Sequence, residues 1–145
     1  MNNEIESVLN TFNTPDLHLK GWGYEVWIAN SEKYCGKLLH FNKGKRCSWH
    51  YHNMKDETFY VYSGKLVVTY SFEDNRKTAE SILLSAGDKF HVPTGMRHQM
   101  KALKDTDMFE FSTQHFEFDS IRLERGSKSA DGTFLKPEKY GDTWA

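Results

Sequence analysis

From residue 24 to residue 118 the chain alternates short apolar-rich runs with clusters of turn-forming residues. The runs are YEVWIAN, YCGKLLHF, RCSWHYH, TFYVYS, KLVVTYSF, SILLS, KFHV, RHQMKAL and MFEFSTQHFEF. Each is short and rich in β-branched and aromatic residues, the composition of a half-buried strand. Between them lie Asn42-Lys43-Gly44, Ser63-Gly64, Glu73-Asp74-Asn75, Ala86-Gly87-Asp88 and Pro93-Thr94-Gly95, all turn chemistry. Many short strands at regular spacing predict an all-β sandwich or barrel. Residues 3–12 (NEIESVLNTF) place Ile5, Val8, Leu9 and Phe12 at helical spacing, and Pro15 would stop a helix there. The expected organisation is an N-terminal extension with a short helix over 1–20, a β domain over 21–118 and a polar extension over 119–145. Phe134, Tyr140 and Trp144 in the last segment argue against complete disorder.

The chain has 145 residues, which suits one domain with its own core. Nineteen basic against 20 acidic residues leave a net charge of −1, so nothing points to nucleic acid or an anionic membrane. Two cysteines, Cys35 and Cys47, are too few for a disulfide scaffold. The start MNNEIESVLNTFNTPD has no basic stretch followed by an apolar one, so no signal peptide is expected. No apolar run is long enough to span a bilayer. The expected location is the cytoplasm.

The candidate chemistry sits in GKRCSWHYHNMKDETFYVYSG. His50 and His52 are two apart, so on a strand they project from one face. Glu57 follows after a short turn. A second stretch, GDKFHVPTGMRHQM, carries His98 just after a Pro-Thr-Gly turn. Gly44, His50, His52, Glu57 and Gly64, then Gly87, Pro93, Gly95 and His98, are spaced in a way that resembles both signature motifs of the cupin superfamily. Only the final asparagine of the second motif is missing, and Ala102 stands there.

That resemblance implies a single cupin barrel, a double-stranded β-helix of jelly-roll type, with His50, His52, Glu57 and His98 binding one divalent metal ion. Three imidazoles and a carboxylate suit Fe, Mn, Zn, Co or Ni without choosing among them. Gly44, Gly64, Gly87 and Gly95 are expected at backbone angles that other residues avoid.

Further residues are candidates for the surroundings of the metal. If FNKGKR closes a tight hairpin, Lys37 stands opposite His50 and Cys35 opposite His52. Arg46 and Ser48 then share the histidine face, and Cys47, Trp49 and Tyr51 point away. A one-residue slip would reverse every one of these. The register also argues against a Cys35–Cys47 disulfide. Lys37 is a candidate for holding a phosphate or carboxylate or for passing a proton, or a lysine reaching solvent from the mouth. Arg97 and Arg46 are candidate substrate-binding groups, with a plain surface arginine as the alternative for Arg97. Glu110 and His115, read as lying on a late strand, are candidate bases. Phe59 and Val61 are read as lining, and Tyr60 and Tyr62 as core or interface.

The stretches WGYEVWIAN, YCGKLLHFNKGKRCSWHYH, DETFYVYSGKLVVTY and HFEFDSIRLER resemble small single-domain cupins related to type II mannose-6-phosphate isomerase. This implies a sugar or sugar-phosphate isomerase or epimerase working through a metal-stabilised enediolate, and a homodimer with a small-molecule substrate. A non-haem Fe(II) dioxygenase and a non-catalytic small-molecule-binding module are the alternatives, since a fold does not fix a reaction.

Overall fold

The computed structural model describes residues 12–128, and they form eleven strands with two single-turn 3₁₀ segments at Arg76–Thr78 and Glu117–Asp119. In chain order the strands are β1 (Asp16–Lys20), β2 (Gly23–Asn30), β3 (Cys35–Phe41), β4 (Trp49–His52), β5 (Glu57–Ser63), β6 (Lys65–Ser71), β7 (Glu80–Ser85), β8 (Lys89–Val92), β9 (Arg97–Ala102), β10 (Thr106–Ser112) and β11 (Ser120–Glu124). The predicted helix over 3–12 lies, but for its last residue, outside the described residues. No helix among the described residues is long and apolar enough to cross a membrane.

The strands form two sheets, one of six in the order β1-β2-β3-β10-β5-β8 and one of five in the order β11-β4-β9-β6-β7. All pairings are antiparallel. The marginal strands do not pair from one sheet to the other, so the expected closed barrel is an open sandwich. Alternating apolar positions specify a two-sided core, which barrel and sandwich satisfy equally. Closure depends on hydrogen bonds at the margins, which that pattern does not encode. Two strands also come from the stretches read as extensions: β1 adds an outer strand to β2, and β11 pairs with β4.

The core lies between the sheets and follows the alternation. Leu39, Phe41, Phe59, Val61 and Met108 point inward from one sheet, and Leu66, Val68, Met100 and Ala102 from the other. Burying each large apolar side chain stabilises the fold by about 1.5–3 kcal/mol. Phe59 and Val61 are buried as expected, whereas Tyr60 and Tyr62 lie exposed on the outer face of β5. Gly64 joins β5 to β6 at φ +98°, where a side chain would be strained and its Cβ would meet the Asp105 carbonyl and Thr106.

The predicted β3–β4 hairpin is not formed. β3 pairs with β2 and β10, and β4 with β9 and β11, so the link between them carries the chain from one sheet to the other. Turn residues at 42–44 allow a crossing as readily as a hairpin, and strand pairing made the choice. Cys47 consequently packs into the core rather than pointing away, and both cysteines are buried and free.

Candidate metal centre

The two histidines of β4 and the one of β9 are brought together by strand pairing. His50 is the register partner of His98, so their side chains share one face of the five-stranded sheet. His52 lies two residues on from His50 and shares that face. One ring nitrogen from each of the three lies within 4.8 Å of the others. Glu57 enters from the start of β5 in the opposite sheet, so the site spans the gap between the sheets.

Each imidazole is held by a backbone carbonyl. His50 Nδ1 donates to the Ser48 carbonyl at 2.9 Å, His52 Nδ1 to the Asp119 carbonyl at 3.1 Å, and His98 Nδ1 to the Met96 carbonyl at 3.0 Å. A carbonyl only accepts, so the proton of each neutral ring sits on Nδ1 and Nε2 presents a lone pair. Outer partners of this kind orient metal-binding histidines. Burial holds the His50 ring well below its ordinary pKa, and the neighbouring His98 and His52 add to the effect. His52 is pushed down to about 4, again chiefly by burial. Neutral imidazole is the ligating form.

The carboxylate completes the donor set. Glu57 Oε2 lies 3.2 Å from His98 Nε2 and 3.4 Å from His52 Nε2. Glu57 Oε2 and His98 Nε2 are buried without a hydrogen-bond partner among the described residues. Two facing lone pairs at this distance repel unless a cation lies between them. Burial opposes the charge on Glu57, but the Lys55 ammonium holds its carboxyl well below the usual range. The donor set therefore fits one divalent ion bound by His50, His52, His98 and Glu57.

A cavity of about 290 Å³ opens beside these donors. Three sequence candidates, Lys37, Glu110 and His115, line it. Glu110 faces inward from β10, while His115 sits in the loop after that strand rather than on it. Arg46 and Arg97 are not among the lining residues. Arg46 is exposed. Arg97 lies over the Tyr51 ring at 3.7 Å and pairs with Asp74 at 2.9 Å, so its guanidinium is occupied elsewhere.

Sequence reasoning missed three residues here, two of them buried and Glu25 half-buried. Lys55 is 3% exposed, and its Nζ donates to Glu110 Oε2 at 3.0 Å and to His115 Nδ1 at 3.1 Å and lies 3.4 Å from Glu57 Oε1. Burial penalises its charge, yet Glu57 and Glu110 raise its pKa further than burial lowers it. Asp119 accepts the backbone N–H groups of Asn53, Met54 and Lys55 at 2.9–3.0 Å, which fixes the loop that delivers Lys55. Glu25 accepts from Trp27 Nε1 at 2.9 Å and pairs with Lys37 Nζ at 3.4 Å. Burial raises its pKa, but Lys37, Lys20 and the indole together bring it down to about 2. A lysine in a loop and an acid on a strand carry no spacing signal of their own. The Asp119 side chain, within HFEFDSIRLER, had one in its resemblance but no assigned task.

Burial also raises the pKa of Glu110, and the nearby Glu57 charge acts in the same direction. His115 is lowered to about 4 by burial, then by Lys37 and Lys55. Its Nδ1 accepts from Lys55, and its Nε2–H donates to Glu117 at 3.2 Å.

A family model described as "Cupin domain" matches residues 37–112. Among solved structures, the capsular polysaccharide assembling protein CapF from Staphylococcus aureus superposes with a TM-score of 0.67 at 20% identity, over 81% of this chain and 34% of that one. Oxalate decarboxylase from Bacillus subtilis does so with a TM-score of 0.67 at 20% identity, over 75% of this chain and 30% of that one. KdgF from Halomonas sp. gives 0.57 at 22% identity, over 66% and 81%. At these identities the likeness concerns the fold. The chain spans about a third of the CapF and oxalate decarboxylase chains. A comparison with curated protein sequences finds no match.

Proposed function

The chain belongs to the cupin family, and from that premise we propose that it is a metal-dependent isomerase or epimerase of sugars or sugar phosphates that works through an enediolate. One observation carries the reading. The cavity beside the four metal donors also holds a buried carboxylate, Glu110, joined through the Lys55 ammonium to Glu57 and His115. Moving a proton between adjacent carbons needs a basic group on the wall and a place for negative charge to develop.

A divalent ion, when bound, supplies electrostatic stabilisation for negative charge on neighbouring substrate oxygens. The protein's own groups do the rest. Glu110 is the base: its raised pKa makes it a better proton acceptor than an ordinary carboxylate. Ser112 Oγ donates to Glu110 Oε2 at 2.8 Å, and Lys55 donates to the same atom, so the proton is taken on the other oxygen. His115 has both ring nitrogens engaged and acts as a positioning residue for Lys55. Lys37, 2% exposed, gives one N–H to Glu25 and lies 4.2 Å from the Trp27 ring centre. Its other donors are available to a substrate oxygen.

The test is proton exchange. Metal-loaded protein is incubated without oxygen in deuterated water with aldoses, ketoses and their phosphates, mannose 6-phosphate first. Deuterium is expected at the carbon next to the carbonyl, read by NMR. No exchange here, with oxygen uptake in a parallel aerobic incubation of the Fe(II)-loaded protein, would replace this reading by the dioxygenase. A ligand-induced melting shift with no turnover on any substrate would replace it by the binding module.

A further inference from the structure

The cations around the cavity outnumber the acids that face them. Four carboxylates line the wall, and each already has a positive or metal-directed partner. Glu57 faces the metal donors and Lys55, Glu110 bonds Lys55, and Glu25 bonds Lys37. Glu117 accepts from His115 and lies 3.8 Å from Arg122. Lys20 and Arg125 also line the cavity, and neither has an ion-pair partner among the described residues. A divalent ion would add two further positive charges. A partly enclosed wall with such an excess is completed by a negative ligand.

Backbone packing puts these cations on one rim. Arg122 is the register partner of His50 across β4 and β11, so its side chain leaves the sheet on the metal-binding face. Beyond β11 the chain runs as a strap along the mouth. Ser127 N–H donates to the Arg46 carbonyl at 2.8 Å, and the Ser127 hydroxyl accepts from Arg46 N–H at 3.0 Å. At Gly21 the Ser127 carbonyl occupies the place that a Cβ would take. Lys20, one residue before Gly21, and Arg125, two before Ser127, are thereby held at the same edge.

We infer that Lys20, Arg122 and Arg125 form an anion-binding rim, and that the substrate carries a phosphate or carboxylate seated there while its oxygens face the metal donors. This rests on the function proposed above for the same cavity, and it assigns the anion to residues other than Arg46 and Arg97. Arginine forks pair with both kinds of oxyanion.

The experiment titrates inorganic phosphate, and separately acetate, into metal-loaded and chelator-stripped protein by calorimetry. It compares the wild type with the double variant Lys20→Gln/Arg125→Gln. Arg125 is exposed and Lys20 half-buried, and neither is a metal donor, so the variant is expected to fold and to hold one equivalent of metal. Binding is expected in both metal states of the wild type, weakened about tenfold or more in the double variant. Tighter phosphate identifies a phosphate ester as the ligand class, and tighter acetate a carboxylated one. Equal affinity in wild type and variant would overturn the rim. So would binding that needs the metal and ignores the substitutions. The two readings fail separately. Absent proton exchange with rim-dependent anion binding removes the isomerase and keeps the rim. Exchange on neutral and anionic sugars with equal kcat/KM removes the rim and keeps the isomerase.

Discussion

His98 Nε2 and Glu57 Oε2 lie 3.2 Å apart, both buried, and neither has a hydrogen-bond partner among the described residues. The His98 proton is committed to the Met96 carbonyl on the other side of the ring. Two acceptors face each other across the gap between the sheets, an arrangement that a cation stabilises and that its removal leaves repulsive.

Purified, untagged protein is therefore expected to carry about one equivalent of a divalent metal by elemental analysis. His50→Ala and His98→Ala should each lose it. Chelation should lower the melting temperature, because a ligand at about 100 times its Kd contributes about 2.7 kcal/mol. Full metal content in either variant would show that the histidines are not ligands.

Lys55 neutralises two buried carboxylates at once. Lys55→Met keeps the volume but leaves Glu57 and Glu110 facing each other without the ammonium. Breaking a buried ion pair on one side typically costs about 3–5 kcal/mol. Loss of a partner that orients a ligand lowers metal affinity about 10–100-fold. Chemical denaturation and a metal titration check both numbers. Wild-type values in both would mean that Lys55 only fills space.

Stability should respond to acid through His115. Its folded-state pKa is lowered to about 4 by burial and by Lys37 and Lys55, below the ordinary value near 6.5. The unfolded chain thus takes up a proton between these values that the folded chain refuses. The contribution is complete above about pH 6.5 and is lost as the pH falls toward 4, with an upper bound on the order of 3 kcal/mol. In metal-free protein, His115→Gln should flatten the dependence of unfolding free energy on pH in that window. An unchanged slope would place the titration elsewhere.

Glu110→Gln is nearly isosteric and removes the proposed base. It should lower kcat by about 10²–10⁴-fold, with metal content retained and the limb of the pH–rate profile that reports its ionisation lost. Equal activity in variant and wild type would assign proton transfer to another group.

The sequence by itself determined nine of the eleven strands and much of the inward set, and its resemblance singled out the candidate donor quartet. Alternation in CGKLLHF and TFYVYS put Lys37 with Leu39, and Phe59 with Val61, on common faces because a strand turns every second side chain to one face. The His-x-His spacing brought His50 and His52 to one side for the same reason. These are properties of a few consecutive residues, so a local pattern carries them. Which strands pair is not local. Tertiary structure alone decided that β3 leaves β4 for β2 and β10, that Cys47 turns into the core and that the sheets stay open. It also decided that Arg46 and Arg97 miss the cavity while Lys55, Glu25, Lys20 and Arg125 reach it. Those placements follow from contacts between residues as far apart as Lys55 and His115 or Gly21 and Ser127. No spacing along the chain encodes a meeting of that kind.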